Sequence, residues 1–411
     1  ARVDEYPLDR VEAITGVDQA LIAEAARMYA TADGAIIPWT PITDMQISST
    51  SAIRLHSILR AVTGNLDVVG GETLGGFNQS YIPESELALH QALSDEQKAK
   101  QLGFDDHPAY TYRVAEMLKD QTEKVWGYPY ADIVMGCHMA NPSNVFRAMA
   151  TGDPYPVKAF FVLGNNALMS YPNQHQILKA MMNQDLIVAH EIFMTPTAML
   201  ADYVLPGDVF TERNHIADSW SWTTRLALSQ KIVEPPEGAS STFEFWRDLA
   251  NAFGFGEHFP WGTLEELLDY RLSRSGRTFA DFEQAGYMEM QTPEFRKYRK
   301  TGFATPSGKV ELSSSILDEL GFDPLPYYRE GPALSKAYPY AVFSGVREDP
   351  FFQTGQRNIA ELRQRCPVPS IFIHPTDAEK EALVEGDWVK IQTAYGEVTA
   401  KLAVQASMKQ G

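Results

Sequence analysis

One stretch constrains the fold more than any other. Residues 158-KAFFVLG-164 form an apolar run that stops at a polar turn, Gly164-Asn165-Asn166. A helical pattern follows at about Gln174 to Met182, then a second apolar run, 185-DLIVAHEIF-193, and a third segment, 195-TPTAMLADYVLP-206. Strands that alternate with helices predict an α/β fold built on a doubly wound parallel sheet. In such sheets ligands bind beyond the carboxyl ends of the strands. Gly164 would let a ligand approach the backbone, and Asn165 and Asn166 can both donate and accept hydrogen bonds. The second run ends at His190-Glu191, where dinucleotide folds place a ribose-binding acid. The same turn reads equally well as a plain strand end.

The flanking segments extend the pattern. Residues 8–32 read as one helix, with Leu21, Ile22, Ala25 and Tyr29 at helical spacing and Asp18 as N-cap. The run 35-AIIPW-39 is a strand candidate, followed by a polar loop over 40–51 and an amphipathic helix closed by Gly64. Glycines cluster between Gly64 and Gly76, which marks a loop of unusual backbone conformation. Residues 84–125 read as a charged, solvated helical excursion, and 240–300 as aromatic-rich helices. From about Tyr338 the texture changes to short strands, in YAVFSGV, SIFIHP and DWVKIQTAYGEVTAKLAV. Glu385-Gly386-Asp387 and Tyr395-Gly396 give hairpin-type signals, so a small barrel-like β domain is expected.

Composition excludes several classes. A net charge of −18 argues against nucleic acid and anionic membranes as partners. The two cysteines, Cys137 and Cys366, cannot build a disulfide framework or a thiolate cluster. No apolar run approaches the roughly 18 residues of a membrane span. The opening ARVDEYPLDR has no charged n-region and no apolar h-region, and it reads as the start of a fragment. There is no GxGxxG, no GxSxG and no HExxH, and Ser307–Val310 (SGKV) lacks the upstream glycine of a P-loop. Cys137-His138 is the one adjacent Cys/His pair, and neighbours in sequence usually point apart, which disfavours a shared metal. Asp202, Glu212, Arg213, Arg347 and Arg357 are polar anchors or ordinary surface charges on this reading.

Taken in order, the segments resemble one family, the molybdopterin-guanine-dinucleotide oxidoreductases of the dimethyl sulfoxide reductase and formate dehydrogenase group. The resemblance is carried by VEAITGVDQALIAEAARMYATADGAIIPW, RLHSILRAVTGNLDVVGGETL, VLGNNALMSYPN, DLIVAHEIFMTPTAMLADYVLPGDVFTE, TPSGKVEL and IFIHPTDAEKEALVEGDWVKIQTAYGEV. Each is modestly specific alone, and together they run along nearly the whole chain. LSDEQKAKQLGFDD looks most like the branch containing acetylene hydratase and the aromatic hydroxyl-transferring and dehydroxylating enzymes.

The resemblance implies a bis-molybdopterin guanine dinucleotide cofactor (bis-MGD) carrying molybdenum or tungsten, and a small-molecule substrate. It implies the end of one α/β domain over 1–34, a dinucleotide-binding α/β domain over 35–235, a mostly helical connection over 236–337, and a truncated double-psi β-barrel over 338–411. Carried over residue by residue, the pterin-side turn maps to Pro41 and Met45, where the family often has Met and Gln. The dinucleotide turn maps to Gly164, Asn165 and Asn166, and the base- or ribose-binding strand end to His190 and Glu191. A basic residue maps to Arg213, an acid to Glu244, and the pterin-touching barrel loop to Arg347 through Thr354, including Gln353. The family's metal ligand and its iron–sulfur cysteines, where present, belong to an N-terminal part that has no counterpart in this sequence. The chain alone is therefore expected to be inactive, and an iron–sulfur electron-transfer subunit is a possible partner of the whole enzyme. The family also covers non-redox hydratases, and the large subunit of respiratory complex I shares the fold without needing the cofactor. Exported and cytoplasmic members both occur, so the resemblance assigns no compartment.

Overall fold

The first sixty residues are helices without a core. A computed structural model describes residues 2–74, 80–217, 224–292, 294–331, 333–344 and 348–411. Helix α1 (Leu8–Thr15) stops at Gly16, whose φ of 71° is left-handed, and α2 (Gln19–Thr31) restarts with the Asp18 side chain accepting the Ala20 N–H at 2.7 Å. The single helix expected over 8–32 is thus two, because glycine takes the left-handed C-cap at no steric cost. Neither helix has a buried residue.

The strand expected at 35–39 is absent. A strand needs a neighbouring strand, and here side chains take its place. The Ala35 N–H donates to Asn65 Oδ1 and the Ile37 N–H to Glu72 Oε1, each at 2.9 Å, while the Ile37 carbonyl accepts from Arg60. Helix α3 (Ser49–Val62) follows as expected. The glycine-rich loop then packs closely: a Cβ on Gly34 (φ 87°) would stand 2.7 Å from the Gly70 backbone. Asp67 in this loop is fully buried and its carboxylate accepts from Lys297 Nζ at 2.9 Å.

The excursion over 84–125 is not simply solvated. Its main helix, α4 (Tyr112–Trp126), buries Val114, Ala115 and Thr122. Ala115, Ala131 and Cys137 form a small core.

The expected α/β unit is present. Helix α5 (Pro142–Thr151), capped by the Asn141 side chain, leads to β1 (Ala159–Leu163), α6 (Gln174–Met182), β2 (Leu186–Glu191) and β3 (Tyr203–Pro206). The sheet order is β1-β2-β3 and both pairs are parallel, with Ala159 opposite Leu186 and Val188 opposite Tyr203. Phe146, Met149, Val162, Ile177, Met181 and Ile187 are buried between the α5–α6 layer and the sheet. Each such side chain contributes roughly 1.5–3 kcal/mol of burial.

A second, antiparallel sheet joins β4 (His215–Ala217), β5 (Arg225–Ser229) and β6 (Tyr287–Glu289). Three helices lie between β5 and β6 in sequence, α7 (Thr242–Ala252), α8 (Leu264–Leu272) and α9 (Phe279–Ala285), and of these α8 and α9 share the sheet's core. Ile216, Leu226, Leu268, Leu272 and Phe282 are its fully buried centre. Helix α7 also reaches the parallel sheet, where Phe245 and Trp246 each sit 6.2 Å from the Phe161 ring.

The chain divides into two units, Ala1–Tyr328 and Arg329–Gly411. The second holds β7 (Ser370–Ile373), α10 (Pro375–Lys380), β8 (Trp388–Thr393) and β9 (Gly396–Val404). Strand β9 is central, parallel to β7 and antiparallel to β8. Tyr395-Gly396 makes the β8–β9 hairpin as expected. Glu385-Gly386-Asp387 does not make one: Gly386 (φ 87°) turns the chain into β8, and Asp387 accepts the Val384 N–H at 2.9 Å. The described part of YAVFSGV, residues 340–344, is not a strand. Among the described residues the fold is therefore mixed α/β, with one parallel sheet and two further small sheets.

Candidate functional site

The carboxyl ends of β1, β2 and β3 gather the most functional candidates. The chain leaves β1 through Gly164, whose N–H still bonds the His190 carbonyl at 3.0 Å. Its φ is 57°, and a Cβ built there would meet nothing within 4 Å. The turn is thus open above a backbone that only glycine adopts without strain. Asn165 is exposed. Asn166 is partly committed to the fold: its Oδ1 accepts the Thr197 hydroxyl at 2.9 Å, and that hydroxyl oxygen accepts the Leu168 N–H at 2.9 Å.

His190 and Glu191 divide their roles by the strand's alternation. His190 is buried; its Nε2–H donates to the Ser240 carbonyl at 2.9 Å, and its ring lies 5.5 Å from Phe245. Gly207 on the next strand end fits against this ring, because a Cβ there would come 3.2 Å from His190 Cε1. Glu191 is half-buried, and its Oε1 accepts the Ile192 N–H at 2.8 Å.

Ser240 joins this edge to a second group of candidates. Its carbonyl also accepts the Asp208 N–H, and the next residue starts α7. There Glu244 closes a capping box: its Oε2 accepts from Ser241 N–H and Oγ at 2.8 and 3.0 Å, while Ser241 Oγ accepts the Glu244 N–H. Arg213 Nη1 pairs with Asp208, whose side chain is only 4% exposed. Burial pushes the Asp208 carboxyl above its usual range, and Arg213 opposes that rise. A cleft of about 210 Å³ opens here, with Asp208, Glu212, Arg213, Lys231, Glu244 and Glu265 among its lining. Four acids thus face two cations, and Lys231 is itself paired with Glu234 at 2.6 Å. This wall offers more hydrogen-bond acceptors than anion-binding groups.

The remaining candidates lie elsewhere. Pro41 opens a short helical turn, Pro41–Asp44, that ends at an exposed Met45. Gln353 and Thr354 belong to the second unit. Gln353 has φ 53° and its carbonyl accepts Arg357 Nε at 3.0 Å, in a turn closed between Phe352 and Gly355. Arg347 lies outside the described residues. Among the described residues no group of three or more His, Cys, Asp or Glu is placed to hold a metal, and no helix is long and apolar enough to cross a membrane.

Sequence reasoning missed Thr197, Asp208 and Ser240. Thr197 and Asp208 lie inside the stretch DLIVAHEIFMTPTAMLADYVLPGDVFTE that carries the family resemblance, without being singled out there, and Ser240 carries no motif. Ser241-x-x-Glu244, however, is a legible capping box, which would have assigned Glu244 a helix-starting role from sequence.

Comparisons with known proteins place the chain in a family. Residues 68–252 match the family described as molybdopterin oxidoreductase, and residues 342–411 match the molybdopterin dinucleotide binding domain. The chain is similar to acetylene hydratase of Syntrophotalea acetylenica, 44% identical along all of this chain and 57% of that protein. It is 24% identical to the F420-dependent formate dehydrogenase subunit alpha of Methanocaldococcus jannaschii, again along all of this chain and 57% of that one. Among solved structures, acetylene hydratase from Pelobacter acetylenicus superposes with a TM-score of 0.94 at 43% identity, covering all of this chain and 57% of that chain. The chain thus spans little more than half the length of these relatives, and it belongs to the molybdopterin oxidoreductase family.

Proposed function

We propose that this chain is the part of a molybdenum or tungsten enzyme that grips the guanine dinucleotide end of a bis-MGD cofactor, and that the whole protein hydrates a small unsaturated molecule. The observation that carries the hydratase reading is the 44% identity to acetylene hydratase along the entire chain. Addition of water across a carbon–carbon triple bond changes no net oxidation state, so this reaction needs no electron-transfer partner.

The residues at the sheet edge fit the cofactor's nucleotide end. Guanine presents N1–H and an exocyclic amino group as donors, and ribose presents hydroxyls. The acid-rich cleft beside Arg213 suits those donors better than it suits a pyrophosphate. The open Gly164 turn gives a ligand room against the backbone. In this assignment Asn165 and Glu191 touch the nucleotide. His190, Asn166 and Glu244 hold the edge in shape through Ser240, Thr197 and Ser241. When bound, the cofactor would supply the metal centre at which substrate reacts, and its ligand would come from polypeptide outside this chain.

We assign the second unit as an incomplete double-psi β-barrel, for which the parallel β7–β9 pair beside an antiparallel β8–β9 hairpin is the support. Gln353 and Thr354 would meet the pterin from there. The domain limits near 35, 235 and 337 belong to the same assignment. A redox reading, with an iron–sulfur partner, is favoured by the formate dehydrogenase similarity along the whole chain. The deciding experiment measures metal, released guanine nucleotide and activity on the purified full-length protein. The expected result is molybdenum or tungsten, about two guanine nucleotides per metal, and acetylene hydration without consumption of an electron acceptor. Substrate turnover only with an electron donor or acceptor overturns the hydratase assignment, and absence of guanine nucleotide overturns the site.

A further inference from the structure

Cys137 and His138 lie in an unusual cluster. Residues 84–141 form a helical insert ahead of α5. Inside it, His90 on the 3-10 turn His90–Ala92 donates Nε2–H to Asp132 Oδ1 at 2.6 Å, and Gln91 donates to the same oxygen at 2.8 Å. The side chains of His90 and Asp132 are only 7% and 14% exposed. His138, at the end of the 3-10 turn Met135–His138, lies against this pair with its ring 4.5 Å from His90. Its other neighbour is Tyr112 of α4, at 5.5 Å and nearly parallel.

Both ring nitrogens of His138 are buried and neither makes a well-formed hydrogen bond. A neutral imidazole carries one N–H, which meets only the Ala131 backbone and in poor geometry, while the acceptor nitrogen is desolvated without return. Leaving such a group unsatisfied costs about 1–3 kcal/mol. A phenyl ring of the same shape would fill the space without that cost. A histidine here therefore asks for an explanation that packing does not supply.

The neighbours narrow the chemistry. The elements packed on His138 bring His90, Asp132, Tyr112, Tyr130 and Cys137, with Lys98 above the far ring at 5.8 Å from Tyr112. Burial raises the Tyr112 hydroxyl, and it raises Tyr130 and Cys137 to about 12. None of these three gains charge in mild acid. A proton on His138 would place a cation among aromatic and apolar walls, face to face with a second imidazole.

We propose that the His90–Asp132–His138 cluster is an acid-sensitive latch that holds the helical insert 84–141 closed at neutral pH and releases it on acidification. The direction follows from linkage. Burial, then His90, hold His138 down at about 4 against an ordinary 6.5, while the Ala131 backbone and Asp132 oppose the drop. The closed insert thus binds fewer protons than the open one. The latch's stabilisation is complete above the ordinary value and is lost as pH falls toward the depressed one. Between pH 7 and pH 5 the opening equilibrium should rise on the order of tenfold.

Amide hydrogen exchange on the full-length protein tests this, with rates divided by the intrinsic chemical rate at each pH. The expected result is a roughly tenfold loss of protection at pH 5 in residues 88–92, 112–126 and 130–139, with none in α6 (Gln174–Met182) as the internal reference. His138→Phe keeps the stack on Tyr112 and should hold its protection at both pH values. The proposal is overturned if the acid loss persists in His138→Phe. It is equally overturned, without any variant, if the wild-type insert is as protected at pH 5 as at pH 7 or loosens only together with α6.

Discussion

Two regions of the first unit read alike in sequence and differ completely in packing. Residues 142–206 and residues 8–62 both carry amphipathic helices around a short apolar run. In the first, Ile177, Ala180 and Met181 of α6 are essentially inaccessible, under a sheet of three hydrogen-bonded strands. In the second, α2 leaves Leu21 59% and Met28 65% exposed, and 35–39 has no strand partner. The difference teaches that periodicity specifies an apolar face, while burial requires something to put it against. A 13-residue helix with no buried side chain is marginal in water by itself.

The comparison breaks most decisively at the core. Ile177→Ala removes a fully buried side chain and should cost about 2–5 kcal/mol in urea unfolding of this chain. Leu21→Ala should cost less than about 0.5 kcal/mol in the same assay, as for an exposed site. Equal costs would abolish the distinction. A Leu21→Ala cost that approaches the Ile177 value in the full-length protein would place a covering layer outside this chain.

The next effect belongs to the sheet edge. Arg213→Ala strips a partner from a nearly inaccessible carboxylate and should cost about 1–3 kcal/mol at pH 7. The sign with pH is fixed. Asp208 already sits above its usual value through burial, and losing Arg213 raises it further. A carboxyl raised in the folded state contributes stability that is full below its unfolded value and disappears as pH rises through the folded one. The deficit of Arg213→Ala should therefore shrink on acidification from pH 7 toward pH 4. A deficit that is flat with pH would mean that Asp208 is not what Arg213 neutralises.

These effects also mark what the sequence made legible. Strands β1 and β2 and helix α6 could be read because an apolar run, a turn and a 3.6-residue period coincide there. The Gly164 turn and Glu191 could be read as a strand-end site for the same reason. The segment 35–39 misled, because its apolar character is genuine but no described strand pairs with it and side chains take its backbone hydrogen bonds. The aromatic and titratable interior of 84–141 was hidden, since His90, Tyr112, Asp132 and His138 come from separate short elements that no period connects. Ser241→Ala probes an element that local sequence did encode. It removes the Ser half of the capping box and should cost about 1 kcal/mol, in the edge region alone and without effect on α2.

A modest stability effect falls on the open turn after β1. Gly164→Ala places a methyl group on a residue with φ of 57°, where an L-residue costs roughly 1–2 kcal/mol. No steric term adds to this, because nothing lies within 4 Å of the new Cβ. Folding of the variant should therefore be only mildly impaired. If the open space above the turn is where the guanine dinucleotide lies, the same methyl group occupies part of it. Guanine nucleotide recovered per full-length protein should then fall several-fold, far more than the loss of stability accounts for. That split separates a binding turn from a plain strand end. Recovery that falls only in proportion to the folded fraction would return Gly164-Asn165-Asn166 to the plainer reading and leave the acid-lined cleft beside Arg213 to hold the nucleotide alone.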